Sequence, residues 1–163
     1  MERYPVSIVW LRRDLRLHDH VALFRAAEAS ERVVCAFVLD PALLRGPRVG
    51  APIVQFFFES LRVLREQLRG RGSDLAVLEG DFGPELLALA RRLNATALFY
   101  NTDYDPNAIA RDEHVAWQLR QAGIDVHASI DHVYLRLMKS YKAAASRTPS
   151  TRRIAAAGTR ASP

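Results

Sequence analysis

Cysteine is almost missing from these 163 residues. Cys35 stands alone, so neither an intramolecular disulfide nor a multi-cysteine metal site can form, which agrees with a cytoplasmic setting. Long apolar runs are missing as well: none approaches the roughly 20 residues that a membrane helix needs. The opening Met1-Glu2-Arg3-Tyr4-Pro5 lacks the basic segment and apolar stretch of a secretory leader. There is no P-loop, and Gly80 and Gly83, although near a helix start, do not make a G-x-G-x-x-G fingerprint, which excludes the usual phosphate-gripping dinucleotide site. His18, His20, His114, His127 and His132 show no metal-ligand spacing with carboxylates, so surface or core positions are expected for them. Ser30, Ser60 and Ser73 lack the context of a nucleophile elbow. Nothing supports acid/base or nucleophilic catalysis by this chain alone.

What is present is a soluble composition, 49% hydrophobic, in a length that suits one domain. The net charge of +5 is unevenly placed. Six of the 23 basic residues follow Met138 with no acidic residue among them, so the body sets 17 basic against all 18 acidic residues and offers no electrostatic case for DNA binding.

Apolar runs at Val6 to Leu11, Arg32 to Leu39, Leu75 to Leu78, Ala97 to Tyr100 and Ile124 to Ala128 read as buried strands. Between them lie four helical patterns. His20 to Ala29 turns Leu23, Phe24, Ala26 and Ala27 inward; Ala51 to Arg69 turns Val54, Phe57, Phe58, Leu61, Leu64 and Leu68 inward. Gly83-Pro84 opens a helix with Leu86, Leu87, Leu89, Ala90 and Leu93 on its buried face, and Asn107 to Gln121 buries Ile109, Val115 and Leu119 before Gly123 ends it. Trp10, in a strand, and Trp117, in a helix, are expected to pack. Strands that alternate with helices predict an α/β fold with a parallel sheet covered on both faces.

Ligands of such sheets bind beyond the carboxyl ends of the strands. The residues there are Arg12, Arg13, Asp14 and Arg16 after the first strand, Asp40 after the second, and Asn101, Asp103 and Asp105 after the fourth. These charges either cap helices and pair with one another or line a polar ligand cleft.

The run Val9-Trp10-Leu11-Arg12-Arg13-Asp14-Leu15-Arg16-Leu17-His18-Asp19 resembles the opening signature W-F-R-R-D-L-R-L-x-D-N of the photolyase and cryptochrome family, departing at Leu11 and His20. Phe37-Val38-Leu39-Asp40-Pro41 is similar to that family's second strand, and Asn101-Thr102-Asp103-Tyr104-Asp105-Pro106 with Ala110-Arg111-Asp112 resembles its N-x-D-x-E-P-Y and A-R-D segment. The resemblance covers about residues 5 to 134. It implies a Rossmann-like, three-layer α/β/α domain with strand order 3-2-1-4-5, the antenna mount of a light-driven deoxyribodipyrimidine photolyase. The helical domain that binds FAD and damaged DNA in the family lies outside the resemblance, so the chain is expected to be inactive alone. The implied antenna chromophore is a deazaflavin, a flavin or methenyltetrahydrofolate, held near Arg12, Arg13, Asp14, Asp40, Asn101, Asp103 and Asn107. Folate-binding members carry an Asn-Glu pair where this chain has Asn107-Ala108, which weighs against folate and leaves a deazaflavin, a flavin or an empty cleft. A free-standing chromophore- or nucleotide-binding module and a cryptochrome fragment are the alternatives. No membrane and no metal are expected among its partners.

The resemblance stops at Asp131-His132-Val133-Tyr134, where the family continues D-E-V-L-x-G-x-G-x-P-Y. Read one base earlier in the genetic code, the codons from Met138-Lys139 onward permit D-E-V-L-Q-G-G-G-E-P-Y-x-V-Y-T-P-Y. Residues 1–134 are therefore expected to form the α/β domain and residues 135–163 a disordered basic tail read out of frame, too poor in aliphatic side chains to fold.

Overall fold

Alternation along β1 (Tyr4–Leu11) sends Val6, Ile8 and Trp10 to one face and Val9 and Leu11 to the other, and all five are buried. A strand that is apolar on both sides needs helices above and below it. The computed structural model, which describes residues 3–41 and 51–131 and leaves the side chains of residues 51 and 53 undescribed, supplies them. After β1 come α1 (Val21–Ala29), β2 (Ser30–Leu39), α2 (Ala51–Arg69), β3 (Leu75–Glu79), α3 (Phe82–Leu93), β4 (Ala97–Asn101), α4 (Pro106–Gln121) and β5 (Asp125–Ser129). The five strands are parallel in the order β3-β2-β1-β4-β5, the order expected from the resemblance. The sequence-derived boundaries hold within two residues. The tail expected from residue 135 lies outside the described residues. No described helix is long and apolar enough to cross a membrane.

Helices α1 and α2 cover one face, where Ala22, Ala26, Leu61, Leu64 and Leu68 meet Val9, Leu11, Phe37 and Phe99. Helices α3 and α4 cover the other, where Leu86, Leu89, Val115 and Leu119 meet Ile8, Trp10, Val38 and Leu98. Each large side chain so buried contributes roughly 1.5–3 kcal/mol. Local signals set the helix ends. Asp105 caps α4 by accepting from Asn107 N–H at 2.9 Å, Pro106 occupies its first turn, and Gly123, at φ 80°, ends it in the left-handed conformation that glycine tolerates.

Three helix faces differ from the periodic reading. In α1 the buried positions are Ala22 and Ala26, whereas Phe24 and Ala27 face solvent, because the helix packs closely on the strands through small side chains. Phe58 of α2 and Ile109 of α4 are also exposed. In α4 the buried stripe runs Ala108, Asp112, Val115, Ala116 and Leu119, so it includes a carboxylate. Trp117 is exposed on the outer side of α4 rather than packed.

Candidate functional site

Strand order reverses about β1, whose neighbours β2 and β4 lead the chain off in opposite directions. A crevice is expected there, beyond the carboxyl ends. A cavity of about 580 Å³ opens at this place. Its apolar walls come from Leu15, Phe37, Val54, Phe56, Phe57 and Phe82, and its polar groups are Arg12, Arg13, Arg16, Arg111, Ser60 and Asp103. Phe57 packs on Phe37 with ring centroids 5.2 Å apart, which fixes the aromatic wall. Because α2 runs back from the strand ends, its first turns wall the cleft while its later turns cover the sheet.

The expected site residues divide into three groups. Arg12, Arg13 and Asp103 line the cavity. Asp14 and Asn101 turn away from it into a buried network. The Asp14 carboxylate accepts from the backbone N–H of Arg12 at 2.9 Å and from Asn101 Nδ2 at 2.8 Å, with His20 Nε2 at 2.9 Å. Asn101 Oδ1 in turn accepts from Ala22 N–H at 3.0 Å, and His20 Nδ1 accepts from Leu23 N–H at 3.1 Å. Together these bonds tie the end of β1, the end of β4 and the first turn of α1. Burial alone would push the Asp14 carboxyl up, but the bonds from His20, Arg12 N–H and Asn101 hold it well below the usual carboxylate range. Asp40 is partly buried after β2 and Asn107 is exposed in the first turn of α4; neither lines the cavity.

Asp103 Oδ1 accepts backbone N–H bonds from Tyr104 at 2.7 Å and Asp105 at 3.2 Å, and Arg13 approaches its Oδ2 at 3.9 Å. Burial would raise its pKa, yet these N–H groups and Arg13 keep it below the ordinary value, so the cleft holds a fixed anion. Arg16 pairs with Asp131. Arg12 and Arg111 both pair with Asp112 and lie against Trp10, whose buried indole N–H has no hydrogen-bond partner among the described residues.

The sequence reading missed Arg111, Phe57 and Phe82 as cleft residues and Asp112 as the carboxylate that holds Arg12 and Arg111. One signal was available: Asp112 interrupts the apolar stripe of α4, and an acid in that place needs buried cationic partners. His20 likewise has a buried structural role that its spacing did not reveal.

A parallel sheet in this strand order, with helices on both faces and an aromatic, guanidinium-rimmed cleft at its switch point, defines a Rossmann-like α/β domain. The chain belongs to the DNA photolyase family, whose model matches residues 7–152. That match runs past Tyr134, the end of the sequence resemblance. A deoxyribodipyrimidine photo-lyase of Thermus thermophilus is 46% identical over 109 residues, 66% of this chain and 25% of that protein. An uncharacterized 31.6 kDa protein of Synechococcus sp. strain PCC 6716 is 38% identical over 130 residues, 80% of this chain and 46% of that one. The archaeal photolyase of Sulfolobus tokodaii, solved with two FAD molecules, is similar with a TM-score of 0.68 and 33% identity, covering 77% of this chain and 29% of that chain. The chain thus spans between a quarter and just under half the length of these relatives.

Proposed function

We propose that this chain is the chromophore-mounting α/β domain of a photolyase, and that the cleft at the carboxyl ends of β1, β2 and β4 holds the antenna group. The observation that carries this reading is the pairing of an aromatic wall, Phe37 and Phe57, with guanidinium donors and the lining carboxylate Asp103 in a cavity of about 580 Å³. That donor set fits a planar heteroaromatic ring: flat apolar surfaces take its faces, and a few fixed polar groups take its edge. When bound, the ring supplies light absorption. Arg12, Arg13 and Asp103 are the residues we assign to contact it, with Asp14 and Asn101 holding the loop that carries the arginines. A deazaflavin or a flavin suits the site better than a folate, since position 108 is a buried Ala rather than a carboxylate. In a complete photolyase the absorbed energy passes to FAD in the remaining part of the protein, which splits pyrimidine dimers in DNA; the relatives named above support that assignment.

Titration of the purified chain with a deazaflavin, a flavin and a folate, followed by absorption and fluorescence, tests the reading. At least one of the first two is expected to bind, and Phe57→Ala is expected to weaken it about tenfold through loss of the aromatic wall. Absence of binding by all three ligands, or affinity unchanged in Phe57→Ala and Asp103→Ala together, refutes the assignment of the cleft.

A further inference from the structure

Two guanidinium groups of the cleft share one carboxylate. Asp112 is buried on α4 with its side chain 5% exposed. Its Oδ2 accepts from Arg12 Nη1, and its Oδ1 accepts from Arg111 Nη2 at 2.8 Å and Nε at 3.1 Å. Aromatic rings hold both cations from another side: the Arg12 guanidinium lies 5.0 Å from the Trp10 ring and 5.2 Å from Tyr100, and that of Arg111 lies 4.6 Å from Phe82 and 5.6 Å from Trp10. Planar forks pinned in this way lose little freedom when a ligand arrives.

The charges across the cleft are arranged differently. Arg16 has Asp131 to itself, whereas Arg13 stands between two carboxylates, 3.9 Å from Asp103 and 3.8 Å from Asp105. Among the described residues, therefore, the wall at Arg12 and Arg111 carries one positive charge in excess and the rim at Arg13 one negative charge in excess. Among the described residues, Arg12 Nη2 and Arg111 Nη1 also have no hydrogen-bond partner.

We propose that Asp112 presents Arg12 and Arg111 as a fixed anion clamp, so that the cleft selects a planar chromophore bearing a phosphomonoester or carboxylate over its uncharged counterpart. The clamp rests on the chromophore reading above and adds the charge of the ligand to it. Asp112 is a positioning residue here, acting through the two arginines. The negative rim at Asp103 and Asp105 turns the anionic group away and so sets the direction in which the ligand lies.

Riboflavin and riboflavin phosphate differ only in the phosphomonoester and are the probes of choice. The full chain is expected to bind the phosphate form about tenfold or more tightly, the margin of one charge-assisted contact. In Arg111→Gln that ratio falls toward one; Arg111→Lys keeps part of it, since the charge stays but the fork is lost. Asp112→Asn adds net positive charge yet releases both cations, so positioning predicts a smaller ratio and simple attraction a larger one. A larger ratio in Asp112→Asn overturns the role of Asp112. Equal affinity for the two flavins in the unaltered chain, or a preference that survives Arg111→Gln, overturns the clamp alone. If neither flavin binds, the chromophore reading falls for flavins and the clamp falls with it.

Discussion

His20 Nε2 stands 2.9 Å from the Asp14 carboxylate, with the histidine side chain wholly shut off from solvent. His20 Nδ1 accepts from Leu23 N–H, which leaves Nε2 to donate to Asp14, so one ring serves both contacts. One histidine thus caps α1 and anchors the loop after β1.

Asp14→Ala leaves three buried donors without their acceptor and is expected to cost about 3 kcal/mol or more, whereas His20→Ala loses a helix cap and one hydrogen bond, about 2 kcal/mol. Urea unfolding of both single variants and the double variant gives the coupling, expected to exceed about 1 kcal/mol. Additive losses would mean that the two side chains act independently. The pH dependence follows in sign from the lowered Asp14 pKa. The folded state binds this proton less readily than the unfolded chain does, so the contribution is complete above the ordinary value of 3.8 and is lost as pH falls through the lowered one. Asp14→Asn is expected to flatten the acid limb of the stability curve.

Gly83, in the first turn of α3, faces α4 so closely that a Cβ would collide with Gln118 Oε1. The obstruction is the end of a flexible side chain whose Nε2 is 3.1 Å from His114 Nε2, so it can swing away at the loss of that contact. In Gly83→Ala this loss offsets the gain in helix propensity, and thermal melts are expected to show a change of less than about 1 kcal/mol. With Gln118→Ala also in place, the same substitution is expected to stabilise by up to about 1 kcal/mol. An identical effect in both backgrounds would show that Gln118 is not the obstacle.

Burial pushes the Cys35 thiol up to about 11. With Cys35 2% exposed, a thiol reagent is expected to find no reactive sulfur in the folded chain and one in the unfolded chain, so labelling reports global opening. Rapid labelling under native conditions would contradict the burial. The raised pKa also fixes a sign: above the ordinary value of 9.0 the unfolded chain releases a proton that the folded chain retains, so stability falls as pH rises from there toward about 11. Cys35→Ala is expected to lessen that decline.

Much of the fold was legible in the sequence because its strands are short apolar runs and its helices carry apolar residues at steps of three and four. Val9 and Trp10, adjacent and both buried, announce a strand covered on two faces. Asp105-Pro106 and Gly123 mark the ends of α4 through backbone preferences that need no tertiary contact. The errors at Phe24, Phe58 and Ile109 share a cause: periodicity gives the spacing of a helix stripe, but its phase depends on which neighbour the helix approaches and how closely.

By itself the sequence determined the α/β class, the strand and helix succession, the family, and the rim of charged residues at the strand ends. Tertiary structure alone decided which charged residues of that rim turn inward. Asp14 and Arg12 are two residues apart in the chain, yet the Asp14 side chain goes to Asn101, 87 residues away, and that of Arg12 to Asp112, 100 residues away. Local contacts such as the Arg12 N–H on Asp14 do not reveal these distant partners, which arrive only when the sheet brings the strand ends and α4 together.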